Sequence, residues 1–362
     1  MINVNNIKKL LEASKRSSRP LPSLFAELIY YRFNQQKLSA YEYFDFHLYS
    51  NKLSRQQKSE FVGHRKKLKL YQQVCDPGWM SVPADKLGFQ ILMECFGFEM
   101  PKLLAYFNPK HRLLPNGIIA LQSQEQLWNF LSDTNHFPFF LKPNSDFHGN
   151  GILSISNFNP GTNSYELLNG NTVSKEALLN TIMDNKAKGG YLFQETIYSH
   201  DQIRDLIGNN TLSTLRIWTL NLNEGPKILS SYLRIPTGKN MKDNLVHGRT
   251  GNLLATVDAT SGKIMNTFSK AGFHEQQIQL HPDTHKELQG FKLPYWDKVI
   301  NTVKEATLCL PRLGMQAWDI AICNKGPLVI ELNVPGDIDW FQAVLYQGYW
   351  NESYKRLLKE FR

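Results

Sequence analysis

The 362-residue chain has no apolar run long enough to cross a bilayer, so no membrane-spanning helix is expected. Its first residues, Met1 to Leu11, are polar with scattered aliphatics and lack the apolar core of a secretory leader. Cysteine is scarce. Cys75, Cys95, Cys309 and Cys323 show no paired metal spacing, which favours reduced thiols in a cytoplasmic protein. There is no internal repeat, no low-complexity tract and no Walker-type Gly-x-x-x-x-Gly-Lys-Ser/Thr order. A Ser/His or Cys/His constellation for nucleophilic catalysis is also missing. Acidic residues are outnumbered, 32 against 41 Lys and Arg, and the net charge is +9. Much of that excess falls in the first 70 residues, at Lys8-Lys9, Lys15-Arg16, Arg19 and Arg65-Lys66-Lys67-Leu68-Lys69. A solvated helix face is the simplest reading; anionic substrates or peripheral contact with a membrane surface are the alternatives. Nucleic acid is not expected, because no recognition motif accompanies the charge.

What is present suffices for a core. Hydrophobic residues make up 42% of the chain and aromatics 12%, as in a folded globular protein of two domains, or one with an appendage. Residues 1 to about 80 read as helical, with apolar residues at helical spacing in Leu21–Tyr31. Ser39 and Ser54 are candidate N-caps, the second for the basic helix. Tyr41, Tyr43, Phe44, Phe46, Leu48 and Tyr49 form an aromatic cluster expected in the core. A helix is predicted from Pro83-Ala84-Asp85-Lys86 to Gly97, with Lys86 oddly placed, since a helix N-terminus repels cations. Strands are expected at Phe137–Pro143, Ile152–Ile155 and Gly190–Ile197, and strands dominate after residue 212 until a helix near Trp296–Leu310.

One hairpin stands out near the C-terminal end. Ala317–Cys323 and Pro327–Asn333 are apolar strands interrupted by Asp319, Glu331 and Asn333. Side chains alternate along a strand, so Glu331 and Asn333 share a face. A three-residue turn, Asn324-Lys325-Gly326, would set Asp319 directly across from Glu331; an even turn would send Asp319 to the other side. Two carboxylates and an amide carbonyl on one face suit Mg²⁺ or Mn²⁺.

Other residues point to anions. Lys142 ends an apolar strand and leads into His148-Gly149-Asn150-Gly151, where glycines let backbone N–H groups approach a phosphate. Arg216 and Arg234 each interrupt an apolar strand and together form a candidate clamp for phosphoryl oxygens. Asp243–Asn252 adds a second Gly-containing polar loop, with His247 in it.

The ordered set of Lys86, Lys142 with Gly149-x-Gly151, a hinge strand, Arg216 and Asp319…Glu331-x-Asn333 resembles the ATP-grasp fold. Thr214-Leu215-Arg216-Ile217, Asp243-Asn244, Val257-Asp258 with Gly262, His281-Pro282-Asp283-Thr284 and Pro294-Tyr295-Trp296 make it similar to the sugar-transfer-associated branch, related to α-L-glutamate ligases. The resemblance covers roughly residues 80 to 350. It implies an α+β fold in which two subdomains grip ATP between antiparallel sheets: a helical region at 1–80, a lobe with the Gly-rich lid at 81–200, and a lobe with the metal site at 201–362. It implies that Lys86 and Lys142 hold phosphates, that the loop of His148, Gly149 and Gly151 closes over the triphosphate, and that Gln194, Glu195 and Ile197 form the adenine hinge. Asp319, Glu331 and Asn333 would bind Mg²⁺ or Mn²⁺, and Arg216, Arg234 and Lys142 would carry the catalytic charge. Asp201 is a candidate for the ribose. The implied activity is ATP-dependent ligation of a small-molecule carboxylate to an amine through an acylphosphate, on a sugar, amino acid or surface-polysaccharide precursor. A kinase on the same fold and a non-catalytic nucleotide-binding scaffold are the alternatives.

Overall fold

Two seven-stranded sheets follow a helical N-terminal layer. The computed structural model describes residues 4–361 except 111, 146–150, 185–188, 246–249, 272–273, 338, 340, 341, 344 and 345. The first sheet holds β1 (Leu103–Phe107), β2 (Ile119–Leu121), β3 (Phe139–Pro143), β4 (Leu153–Asn159), β5 (Ser164–Leu167), β6 (Thr172–Ser174) and β7 (Tyr191–Glu195). Their order is β2-β1-β7-β3-β4-β5-β6. Only β1 and β2 run parallel, and β7 inserts antiparallel between β1 and β3. The second sheet holds β8 (Thr214–Leu222), β9 (Gly225–Ile235), β10 (Leu253–Val257), β11 (Ile264–Ala271), β12 (His274–Gln277), β13 (Met315–Cys323) and β14 (Gly326–Asn333). It is antiparallel throughout, in the order β12-β11-β10-β9-β8-β13-β14. The architecture is α+β, as the sequence led us to expect.

Each sheet has its own apolar core. Leu127, Phe130, Leu178 and Ile182 from flanking helices pack on the first sheet, beside Phe139, Leu141 and Phe193. On the second sheet the helix Trp296–Leu308 covers one face, where Thr307 Oγ1 accepts from Trp318 Nε1 at 3.2 Å and lies 3.0 Å from Thr219 Oγ1. All nine residues of β13 are buried, which is why it reads as a nearly continuous apolar run. The opposite face carries polar side chains.

The N-terminal layer forms a further core from Leu24, Leu28, Tyr31, Tyr43, Phe44, Phe46 and Phe61, joined by Ala343. Of the expected aromatic cluster only Tyr41 is exposed. Ser39 and Ser54 both cap helices through reciprocal capping boxes. Ser54, however, caps only Arg55–Ser59; the basic run lies in a separate helix, His64–Val74. The break falls at Val62, whose N–H and carbonyl are both bonded to the Gln342 side chain, at 2.8 and 2.9 Å, and not to a helical ladder.

The β13–β14 hairpin departs from the expected turn. Cys323 pairs with Gly326, so the loop is the two residues Asn324-Lys325. Continued regularly, that even loop would place Ile330 opposite Asp319. A bulge intervenes: Ile320 pairs with Val329, but Asp319 pairs with Glu331, leaving Ile330 as the extra residue. The expected pairing is reached by an unexpected route.

Candidate active site

Arg216 on β8, Asp319 on β13 and Glu331 on β14 are successive partners across three strands, so their side chains leave the sheet on one face. Arg234 lies two residues beyond Tyr232, the β9 partner of Arg216, and Asn333 lies two beyond Glu331; both share that face. Asp319 is only 3% exposed. Arg216 donates from Nε to Oδ1 and from Nη2 to Oδ2 at 3.0 Å; Arg234 donates from Nη1 to Oδ2 at 3.2 Å and from Nη2 to Oδ1 at 3.3 Å. Asn333 Nδ2 donates to Glu331 Oε1 at 3.0 Å.

Burial pushes the Asp319 carboxyl up, but Arg216 and Arg234 outweigh it and hold the group below the usual carboxylate range. Asp243 behaves oppositely. Burial raises it, and the attraction of Arg234 and the hydrogen bonds from Thr214 do not fully compensate. Its Oδ2 accepts from the Thr214 N–H at 2.8 Å and from the Thr214 hydroxyl, while Arg234 Nη1 donates to Thr214 Oγ1 at 3.0 Å.

Lys142 approaches from the first sheet, at the end of β3, and is 5% exposed. Burial pushes its ammonium down to about 8; Lys86 acts in the same direction, and Glu331 and Asp319 oppose it. Lys86, Glu331 and Asp319 are therefore near enough for their charges to act on Lys142. Asn144, just after β3, joins the two lysines: its carbonyl accepts from Lys86 N at 3.2 Å and its Oδ1 from Leu87 N at 2.9 Å. This ties the start of the helix Lys86–Cys95 to the end of the Lys142 strand. The helix end that seemed unsuited to Lys86 is compensated by Asp85. Its carboxylate caps Gly88 N at 2.7 Å and pairs with Arg112 at 2.8 Å.

At the expected hinge, the side chains are already engaged. Gln194 Nε2 donates to Gln90 Oε1 at 2.7 Å, and Glu195 Oε1 accepts from Lys102 N at 2.8 Å. Ile197 lies beyond β7 on the connector into the second sheet, which His200 N anchors to Ile322 O at 2.7 Å. Asp201 starts the next helix and accepts from Arg204 and from Asn324 Nδ2, so it is pinned to the β13–β14 turn. Gly151 precedes β4 in the left-handed region, with φ 71°. His148, Gly149 and His247 lie outside the described residues.

The sequence reading gave no role to Asp243, Asn144 or the Asp85–Arg112 pair. Asp243 stood in a quoted motif, which was a usable signal; Asn144 and Arg112 act only through tertiary contacts. Asp319, Glu331 and Asn333 bring hard oxygens to one face, the donor type that suits Mg²⁺ or Mn²⁺; both Asp319 oxygens are taken by Arg216 and Arg234, so a metal there would have to displace guanidinium donors. Among the described residues, no group of three or more His, Cys, Asp or Glu offers another metal centre. Lys86, Lys142, Arg216 and Arg234 outnumber the carboxylates Asp243, Asp319 and Glu331, so the cleft favours an anion such as a polyphosphate.

A family model described as sugar-transfer associated ATP-grasp matches residues 65–355. No curated protein matches the chain. Among solved structures, the biotin carboxylase domain of Hydrogenobacter thermophilus 2-oxoglutarate carboxylase, in complex with MgADP, ADP and bicarbonate, is 12% identical. The match covers 78% of this chain and 46% of that one, with a TM-score of 0.41. Campylobacter jejuni biotin carboxylase in a β-γ-ATP complex is 10% identical, over 78% of this chain and 47% of that one, at TM-score 0.42. The D-alanine–D-alanine ligase of Bacillus anthracis complexed with ATP is 10% identical, over 77% and 67%, at TM-score 0.40. The matched part spans about half the length of the two carboxylase chains.

Proposed function

Because the chain belongs to the sugar-transfer-associated ATP-grasp family, we propose that it is an ATP-dependent ligase joining a small-molecule carboxylate to an amine. The carboxylate attacks the γ-phosphorus of ATP, giving an acylphosphate and ADP; the amine then displaces phosphate and forms the amide. Lys86 and Lys142 hold phosphate oxygens, and Arg216 with Arg234 meets the charge that develops during transfer. Asp319, Glu331 and Asn333 would hold Mg²⁺, which would supply neutralisation of phosphate charge. Backbone groups around Gln194, Glu195 and Ile197 receive the base, and the loop of His148, Gly149 and Gly151 closes the site. Residues 1–80, 81–200 and 201–362 form the helical region and the two gripping lobes. The family's description favours an acceptor from sugar or surface-polysaccharide chemistry, and four free thiols favour a reducing, cytoplasmic setting.

The observation that carries this reading is Lys142. It is buried, and its ammonium is depressed to about 8 even though Glu331 and Asp319 attract it. A cation so placed is costly unless an anion joins it. The test is ADP and phosphate release from MgATP against panels of amino acids, amines and sugar acids. Amine-dependent phosphate release supports ligation; a stable phosphorylated product formed without amine makes the chain a kinase. Asp319→Asn and Glu331→Gln should each abolish metal-dependent turnover, and unchanged function in cells would leave a scaffold.

A further inference from the structure

The helix Leu21–Phe33 is apolar on both sides. Leu24, Leu28 and Tyr31 fill the N-terminal core, while Leu21, Phe25, Ile29 and Phe33, four residues apart, face outward, with Phe33 71% exposed. A helix apolar all round normally has both faces covered. Beside it, Ile7 and Leu11 of the helix Val4–Ser17 project from the same layer, and the two helices enclose an apolar groove of about 270 Å³ lined by Ile7, Leu10, Leu11, Leu21, Pro22 and Phe25. Exposed Lys8 and Lys15 lie next to Ile7 and Leu11 on that helix surface.

Charge says what covers this face. The first 70 residues hold 14 Lys and Arg against 5 Asp and Glu, so the whole net charge of +9 resides there and the rest of the chain is neutral. Four of the five acidic residues are turned inward or neutralised, and the fifth, Glu60, is half-buried. Glu42 and Asp45 are buried, Glu27 pairs with Arg19 and Lys58, and Glu12 pairs with Arg16. Of the cations, Lys58 and Lys67 are buried, but on the helix Val4–Ser17 itself Lys8, Lys15 and Arg16 are exposed beside the projecting apolar side chains, with Tyr30, 62% exposed, on the next helix. A protein partner would need a ridge shaped to the groove and acidic groups at its rim. An anionic bilayer needs neither: apolar side chains enter the acyl boundary and spread cations meet the headgroups.

We infer that the outer face of the helices Val4–Ser17 and Leu21–Phe33 docks this protein on anionic lipid membranes. No described helix is long and apolar enough to cross one, so the contact is interfacial. Flotation of the full chain with vesicles of phosphatidylcholine, alone or with phosphatidylserine as about a third of the lipid, tests this. Binding should require phosphatidylserine and fall as salt is raised. Lys8→Gln with Lys15→Gln should weaken it about 25-fold, at about five-fold per cation. Phe25→Ser, at an exposed position, should weaken it about tenfold or more, with an unchanged circular dichroism spectrum. The inference is overturned if phosphatidylserine vesicles leave the chain in solution, if neutral vesicles bind equally, or if the substitutions change nothing. It is equally overturned if Phe25→Ser dissolves a self-associated species that binds no vesicle, since a second copy would then cover the face.

Discussion

Replacing Asp319 by asparagine removes one negative charge from between two guanidiniums while preserving side-chain size. The carboxylate accepts from Arg216 on both oxygens and from Arg234 on both, at 3% exposure. An asparagine keeps one acceptor oxygen and turns an N–H₂ towards donors. Breaking a buried ion pair in this way costs about 3–5 kcal/mol. At about 2–4 °C per kcal/mol, the thermal midpoint of Asp319→Asn should fall by about 6–20 °C. Differential scanning calorimetry at neutral pH without nucleotide measures it. The loss should shrink in acid: the carboxyl is held below its ordinary range, so its contribution is present above that range and disappears as pH falls through the lowered value. Exchanging the carboxylate and both guanidiniums for apolar residues, Asp319→Leu with Arg216→Met and Arg234→Met, should recover much of the stability. A midpoint within about 2 °C of the wild type for Asp319→Asn would refute the argument.

Nucleotide binding should take up about half a proton near pH 8, because the free Lys142 ammonium is depressed to about 8 and a bound anion raises it again. Calorimetric titration in buffers of different ionisation enthalpy shows this, and Lys142→Met should abolish it; proton release in the wild type would contradict the assignment. Gly190→Ala should cost more than about 1–2 kcal/mol, since φ is +103° and a Cβ would overlap the Phe107 carbonyl. Soluble variant protein melting with the wild type would remove that constraint. Glu27 accepts from Arg19 at 2.7 Å, from Tyr43 Oη at 2.7 Å and from Lys58 at 3.0 Å. Burial raises its carboxyl, but these three bonds win and hold it below 4.5. Glu27→Gln should therefore destabilise at neutral pH by about 2–4 kcal/mol, with the gap to the wild type closing as urea unfolding is repeated at lower pH.

Much of the candidate site was legible because strand chemistry is local. Side-chain direction has a period of two, so Glu331 and Asn333 share a face whatever surrounds them. Residue type already marked Lys142, Arg216, Arg234 and Asp319 as out of place in apolar strands. Capping at Ser39 and Ser54 was equally readable, since each box closes within four residues. What failed was longer-range. The basic helix was joined to the Ser54 helix because nothing near Val62 announces that Gln342, far along the chain, takes both its backbone groups.

Sequence by itself determined which residues of one strand share a side, as Glu331 and Asn333 do, because alternation needs no partner. Tertiary structure alone decided how residues of different strands meet. Ile330 suits a regular strand as well as a bulge, yet only the bulge puts Glu331 across from Asp319 after a two-residue turn. Setting β8 between β9 and β13 brings Arg216 and Arg234 onto one carboxylate, and the Asn144 bonds bring Lys86 to Lys142. Register and sheet order are settled by packing summed over whole faces, and no local stretch of chain contains that sum.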